Sequence, residues 1–532
     1  MLRRVLLLFN TVKYLKFIQI KYQIYYKVRN KIRNLLSLKF DYSKTPPVFE
    51  IIRFDNFIQC NICYNGLGNF SFLNLTQDFG KDIDWDFIKY GKLWTYNLNY
   101  FDFLNQPNAD QYGAEFKILI DNYISSLPAL KNGNEPFPTS IRVMNWIKYF
   151  IKNQNKDTGY LKSLYSQLYL LKDNLEYHLL GNHLLENGFA LTMGGVFFQD
   201  NQLFEKGKKI LVEELNEQIL DDGGHFELSP MYHCLMLHRV LDLSNLLDSN
   251  AQLIEEYLGN QKAFQNKINE YASKMCSWLR AVMYEDGSLP HFNDSIDGIA
   301  PAPIKLLEYA ESLNIAKIRI ELGDSGYRRL QNKKFDLIIK TGKIGPDYIP
   351  GHAHADTFTF ELRIDNKPFI VDMGISTYEK NSQRHLERST NSHNTVMIDW
   401  KNSSEVWGGF RVGKRVYGQI VNQSTDMIEM SYQGRATGLH KRKITLSDNY
   451  LEIEDYADPS TDALACFHFH PNISFKRNNG VFDFAFGSIT YSDYFDLTST
   501  NYMKSQGFNR LNEAAKNIIW FNDRLTTKII CA

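Results

Sequence analysis

Four clusters of polar side chains in this 532-residue chain have residue types and spacings suited to chemistry. The first is Gly181-Asn182-His183-Leu184-Leu185-Glu186-Asn187. On a helix Asn182 and Glu186 stand one turn apart, and His183 lies three residues before Glu186. One face then carries an amide, an imidazole and a carboxylate, which suits a polar ligand or a buried network between helices. The second runs from His225 through Glu227, Ser229 and Pro230 to Tyr232 and His233. Ser229 is a good N-cap and Pro230 a good first helical residue. Tyr232 then falls in the first turn, where the positive helix end favours its phenolate. A tyrosine base needs such help, because its ordinary pKa is about 10. The alternative is an amphipathic tyrosine that merely starts a helix.

The third cluster is Gly351-His352-Ala353-His354-Ala355-Asp356. In a strand the two histidines share a face; in a loop they need not. With Asp372 at the end of an apolar strand and His393 beyond it, the set offers nitrogen and oxygen ligands for zinc. The fourth cluster is Arg384, Arg388, Ser389, Thr390, Ser392, His393 and Asn394. Two guanidinium groups among hydroxyls and amides suit an anionic ligand, or a loop held by its own hydrogen bonds. Cys60 and Cys63 form a C-x-x-C with no second pair, and the 6 cysteines are too scattered for a disulfide scaffold.

The elements that must position these residues change character along the chain. From about 85 to 320 apolar residues recur at helical spacing, as in Phe116-Leu119-Ile120-Tyr123-Ile124 and Leu161-Leu164-Leu168-Leu171. Breaks at Asn132-Gly133-Asn134, Asp221-Asp222-Gly223-Gly224 and Glu285-Asp286-Gly287-Ser288 separate the helices. Two of the breaks resemble each other, which points to paired helices in an α/α toroid or incomplete barrel; a generic helical array is the alternative. From about 335 the period becomes two, in 335–340, 357–364, 367–372, 444–446, 450–454 and 467–470, with a hairpin turn at Asp365-Asn366-Lys367. Many short strands without intervening helices imply an antiparallel β-sandwich. The expected architecture is α+β and multidomain: an arm over 1–80, an α/α toroid over 81–330 and a β-sandwich over 331–532.

Charge is balanced at 60 basic and 60 acidic residues, so no net field steers the protein onto nucleic acid. The zero conceals an asymmetry. Arg3, Arg4, Lys13, Lys16, Lys21, Lys27, Arg29, Lys31, Arg33 and Lys39 precede the first acid, Asp41. Residues 1–40 thus carry ten cations and the body carries the matching excess of acids. Tyr, Leu, Phe and Ile recur among these cations, as in an amphipathic helix on an anionic membrane or partner. A basic helix packed on its own acidic body is the other reading. Val5–Phe9 is too short for a membrane span or a clear export signal. The location expected is cytoplasmic or membrane-peripheral, with the periplasm as the alternative. Oligomeric state cannot be read from the sequence. Aromatics at 14% suit sugar-binding clefts as well as cores.

Together the clusters resemble the heparinase II/III family of polysaccharide lyases. The likeness rests on DWDFIKYGKLWTYNLNYFDFL from Asp84, PFPTSIRVMNW from Pro136, GNHLLENGFAL from Gly181 and DGGHFELSPMYH from Asp222. It continues with DGSLPHFNDS from Asp286, GHAHADTFTFEL from Gly351 and RSTNSHNTV from Arg388. The resemblance implies an N-terminal α/α toroid, a C-terminal antiparallel β-sandwich and β-elimination at a uronic acid. It also implies catalytic roles for Asn182, which would bind the uronate carboxylate, for Tyr232 and His352, and for His183 lining the same site. Arg142, Glu186 and Arg388 are expected either to bind substrate or to support the residues that do, and Trp146 is expected to bind substrate by stacking on a sugar. His354, Asp372 and His393 match the family's metal site, expected to hold a structural divalent metal, zinc, that braces the loop bearing His352. An acidic body handling an acidic polysaccharide would attract it locally through Arg142, Arg384 and Arg388.

Two other functions are compatible with these residues. One is a non-catalytic carbohydrate-binding or assembly protein of surface-polysaccharide synthesis, suggested by the basic arm. The other is a zinc hydrolase using His352, His354, Asp372 and His393. No H-E-x-x-H occurs, so zincin chemistry is absent.

Overall fold

The computed structural model describes every residue except Met1, Leu38, Lys39, Ile51, Ala436 and Ala532, and every side chain among them except those of Leu2 and Arg3. Of the ten arm cations, Lys39 and the side chain of Arg3 therefore lie outside the described residues. The arm forms α1 (Leu2–Val12) and α2 (Phe17–Leu35), followed by an extended segment and a hairpin of β1 (Asn69–Phe72) and β2 (Leu75–Asp78). Then come α3 (Lys92–Tyr100), α4 (Gly113–Ser126), α5 (Pro136–Lys152), α6 (Thr158–Asp173), α7 (Gly181–Phe198) and α8 (Asn201–Gln218). The helical region ends with α9 (Pro230–Ser249), α10 (Ala251–Leu258), α11 (Lys262–Val282) and α12 (Pro303–Ser312).

Local chemistry starts these helices where the sequence places polar caps. Asp157 accepts from the amides of Gly159 and Tyr160 at α6, and Asp200 from those of Gln202 and Leu203 at α8. The apolar stripes then turn inward: Phe116, Leu119, Ile120 and Tyr123 of α4 and Leu161, Leu164, Leu168 and Leu171 of α6 are buried. Helix α7 is buried on all sides except at His183. It can lie this deep because it meets α8 through glycines: a Cβ on Gly207 would fall 2.8 Å from the Gly188 carbonyl oxygen.

The rest of the chain is rich in β structure. Strands β3 (Tyr327–Gln331), β4 (Phe335–Lys340), β5 (Phe360–Ile364) and β6 (Lys367–Ile370) form an antiparallel sheet in that order. Asp365 and Asn366 turn between β5 and β6 with φ of 46° and 61°, as a tight hairpin requires. After a short helix, α13 (Ser382–Glu387), come β7 (Val396–Ile398), β8 (Val406–Trp407), β9 (Arg411–Val412), β10 (Gln419–Gln423) and β11 (Met427–Gly434). The chain continues through β12 (Gly438–Leu446), β13 (Tyr450–Ala457), β14 (Ala463–His468), β15 (Lys476–Asn478) and β16 (Val481–Phe484). It closes with β17 (Gly487–Ser492), β18 (Asp496–Gly507), β19 (Arg510–Phe521) and β20 (Arg524–Cys531). An eight-stranded sheet runs β10-β11-β12-β13-β20-β17-β16-β15, and a four-stranded one runs β18-β19-β14-β7.

Each half has its own core, and smaller clusters join them. Trp278 and Leu228 of the helical region pack with Tyr327 and Ile338 of the β region. Met231 and Tyr232 pack with Ile375 and Phe508. Asp222, in one of the acid-glycine breaks, accepts from the amides of Gly323 and Ser325 and so fastens the junction between the halves. Cys60 and Cys63 are both free thiols.

Candidate active site

The polar clusters meet at this seam, and Asp294 is the group around which they assemble. Its carboxylate is fully buried. One oxygen, Oδ2, lies 2.8 Å from His352 Nδ1; the other, Oδ1, lies 2.8 Å from His354 Nε2. The Arg384 guanidinium grips both oxygens, its Nη2 at 2.7 Å from Oδ2. Burial alone would raise the Asp294 pKa, but Arg384 and the two imidazole hydrogen bonds hold it well below the ordinary carboxylate range. The two histidines lie in a loop and not in a strand, yet they converge because one carboxylate holds both.

Because ionised Asp294 only accepts, His352 must present Nδ1–H to it, which leaves Nε2 as the nitrogen with the lone pair. That Nε2 is 3.9 Å from Glu227 Oε2. Burial raises the Glu227 pKa, opposed by His352 and His183. The Tyr232 ring stacks on the His352 imidazole at a centroid distance of 3.8 Å. Its hydroxyl meets that of Tyr378 at 3.3 Å.

The start of α9 forms as its sequence predicts. Ser229 Oγ accepts from the Tyr232 amide at 3.2 Å and donates to the Asp294 carbonyl at 2.6 Å. Burial acts against the expected effect of the helix end on Tyr232. Burial raises its phenol far above the ordinary value, and this outweighs a dipole contribution of at most ~2 kcal/mol. Tyr232 is therefore held as the protonated phenol.

Helix α7 supplies Asn182 and His183. Asn182 is buried, and its Oδ1 has no hydrogen-bond partner among the described residues. His183 is partly exposed, with Nδ1 3.1 Å from Glu176 Oε1. Burial would lower its pKa, but the Glu176 carboxylate prevails and raises it. Glu186, one turn on, is buried and taken up by Arg239, whose Nε lies 3.1 and 3.0 Å from its two oxygens.

Arg142 and Arg388 take the supporting alternative in their observed contacts, and Trp146 lies in the core. Arg142 is fully buried and bonds Gln167 Oε1, the carbonyls of Asn99 and Gly133, and Thr139 Oγ1. Trp146 is fully buried between Phe101 and Phe150 and cannot stack on a sugar. Arg388 is buried and donates through Nε and Nη2 to the Ala353 carbonyl at 3.0 and 2.9 Å. Arg384 is consumed by Asp294. The fourth cluster thus clamps the histidine loop: Thr390 Oγ1 also donates to the Ala355 carbonyl at 2.7 Å.

The zinc expectation is corrected as well. Among the described residues no group of three or more His, Cys, Asp or Glu side chains is arranged to hold a metal ion. His354 Nε2 is engaged by Asp294, while its Nδ1 and the Nε2 of His393 have no hydrogen-bond partner among the described residues. His393 Nδ1 pairs with Asp372 Oδ2 at 2.7 Å, and Asp372 Oδ1 accepts from the Gly374 amide. Burial would lower the His393 pKa, but Asp372 raises it. The same finding removes the basis of the zinc-hydrolase reading.

Asp294, Glu227, Tyr378 and Glu176 were not singled out from sequence as site residues. Asp294 sits in the DGSLPHFNDS segment, and Glu227 in the Tyr232 cluster, so both had a sequence signal. Tyr378 and Glu176 had none.

Comparisons with known proteins bear on the family and the fold. Residues 19–308 match the family described as heparinase II/III N-terminus, and residues 315–525 match heparinase II/III-like, C-terminal. A heparin-sulfate lyase of Bacteroides stercoris is 26% identical over 265 residues, 42% of this chain and 37% of the relative. A heparin-sulfate lyase of Pedobacter heparinus is 23% identical over 350 residues, 59% of this chain and 49% of the relative. The aligned region therefore spans half or less of the length of these curated relatives. The crystal structure of heparinase III superposes with a TM-score of 0.68 at 16% identity, covering 97% of this chain and 91% of that one. Heparan sulfate lyase HepC from Pedobacter heparinus gives 0.56 at 17% identity, covering 87% and 81%. The fold is thus heparinase III-like, and with both family regions matched in order across the seam that carries the site, the chain belongs to the heparinase II/III family.

Proposed function

We propose that this protein is a polysaccharide lyase that breaks a uronic-acid-containing polymer by β-elimination. The observation that carries the reading is the stacking of Tyr232 on His352 at the seam, with the His352 tautomer set by Asp294. We read the helical half (81–330) as an α/α toroid, the β half (331–532) as an antiparallel sandwich, and residues 1–80 as a separate arm.

In the elimination a base takes the C5 proton and the C5–H electrons become the C4=C5 double bond. The C4–O4 bond breaks and O4 leaves with a proton. The difficulty is the weak acidity of a proton next to a carboxylate, so charge on that carboxylate must be met by groups placed in advance. The Asn182 amide donates to it without titrating. His183, whose pKa Glu176 raises, lies on the same side and adds a second hydrogen-bonding group. His352 Nε2 carries the lone pair and serves as base. Tyr232, held protonated by burial, serves as the acid toward O4. Asp294 positions His352 and does not itself exchange protons with substrate.

The curated relatives are heparin-sulfate lyases, which puts heparin and heparan sulfates first among the polymers to test. A panel of acidic polysaccharides, followed by the ultraviolet absorbance of the unsaturated uronate, should show product with the wild type. Asn182→Ala and His352→Ala should each remove it. Binding of a polymer with no unsaturated product on any substrate would instead support a carbohydrate-binding role.

A further inference from the structure

The arm is amphipathic in the inverse sense. At 3.6 residues per turn Gln19, Tyr22, Tyr26, Arg29 and Arg33 fall on one face of α2, and this mostly polar face docks on the body. The Gln19 amide donates to the carbonyls of Leu179 at 3.0 Å and Tyr348 at 3.4 Å. Tyr22 stacks on Tyr177, and the Tyr26 hydroxyl donates to the Leu175 carbonyl. Arg29 donates to the Asp173 carbonyl at 2.5 Å, and Arg33 pairs with the Asp173 carboxylate at 2.5 Å.

The opposite face is apolar and points to solvent. Phe17, Ile20, Ile24, Val28, Ile32 and Leu35 fall within an arc of ~120°. Phe17 is 79% exposed, Ile24 59%, Val28 53% and Leu35 76%. In α1 and the turn after it the same holds: Thr11 and Tyr14 face Trp407 and Arg415 of the β half, while Val5, Leu8, Phe9 and Val12 are exposed. Single exposed apolar residues are ordinary; two helices with continuous exposed stripes mark an interaction surface.

The charges say what covers it. Lys21, Lys27 and Lys31 lie in or beside the apolar arc of α2 and are exposed. They make no ion pair among the described residues, and no acid occurs before Asp41. Apolar residues flanked by long cationic side chains fit the headgroup–acyl boundary of an anionic bilayer, where the stems lie along the apolar layer and the ammonium groups reach phosphates. No described helix is long and apolar enough to cross a membrane.

We propose that the outward faces of α1 and α2 form a docking surface for an anionic lipid bilayer. The polar face fixes the arm to the body. Because Gln19 bonds both Leu179, just before α7, and Tyr348, near the histidine loop, docking sets the orientation of the seam relative to the membrane. The proposal stands on the arm alone and is independent of the lyase reading.

Flotation of the full chain with vesicles tests it. Vesicles of phosphatidylcholine mixed with phosphatidylglycerol should carry the protein, and phosphatidylcholine alone should carry it weakly. Ile24→Ser with Val28→Ser, and separately Lys27→Glu with Lys31→Glu, should each cut binding about ten-fold or more with unchanged circular dichroism. The proposal is overturned if neither vesicle binds or if both variants float like wild type. It is also overturned if the wild type is a dimer that Ile24→Ser with Val28→Ser splits without any vesicle binding, since a second copy would then cover the stripe.

Discussion

The Tyr232 ring lies flat against the His352 imidazole, with centroids 3.8 Å apart and planes 29° from parallel. One residue comes from the first turn of a helix and the other from a loop of the β half, 120 positions later. Their meeting makes a proton donor and a proton acceptor neighbours, and each is set by its surroundings: burial keeps the phenol protonated, and Asp294 leaves His352 Nε2 free.

Asp294→Asn tests the organising carboxylate. An amide can donate to His352 Nδ1 and so select the wrong tautomer. Turnover should fall by roughly 10²-fold or more, by analogy with the orienting carboxylates of other acid–base sites. Arg384 would be left without its counter-charge at full burial, which costs roughly 3–5 kcal/mol. Kinetics and thermal melting check the two effects separately; wild-type turnover would refute the role given to Asp294.

Arg388→Ala should act through the histidine loop. Its two hydrogen bonds to the Ala353 carbonyl are lost, at a cost of roughly 1–3 kcal/mol. The expected result is a lower melting temperature and lower kcat, with KM little changed. A large rise in KM at unchanged stability would restore the sequence-based expectation of a substrate contact.

Trp146→Ala separates core from cleft in the same way. A fully buried tryptophan removed from its packing with Phe101 and Phe150 costs roughly 3–5 kcal/mol. Melting temperature should drop sharply while KM of the folded fraction stays near wild type. Weakened substrate affinity without destabilisation would contradict the burial.

Acid should destabilise the fold through its buried neutral histidines. Burial pushes His354 down to about 4, and His233 likewise to about 4, against an ordinary value of about 6.5. Between those values the unfolded chain binds more protons than the folded one. The stability they contribute is full above pH ~6.5 and is lost as pH falls toward 4. Thermal melts across this window should show a falling melting temperature; a flat profile would mean that these imidazoles are not held neutral.

Much of the architecture was legible because it is periodic. The stripes in α4 and α6, the cap at Ser229, the strands at 335–340 and 450–454 and the turn at Asp365 are local patterns, and local patterns survive folding. Asn182, Tyr232 and His352 stood out as residue types in polar clusters. Burial was not legible. Arg142, Arg384 and Arg388 read as contacts for an anionic polymer because charge is usually solvated, yet each is buried and bonds within the protein. Asp294 lay in a segment that stood out, but its pairing was hidden: it binds His352 across 58 positions, and no spacing rule connects them. The sequence did bring Asp372 and His393 together, but the capture of His354 by Asp294 is set by tertiary contact and had no signal in the spacing.

The central claim is that the seam performs an elimination. Cleavage of an acidic polysaccharide in water enriched in heavy oxygen, with the products read by mass spectrometry, tests it most directly. Elimination predicts fragments whose new non-reducing end carries a C4=C5 double bond and no label, and their disappearance in His352→Ala. Incorporation of labelled oxygen into a saturated product would contradict the account.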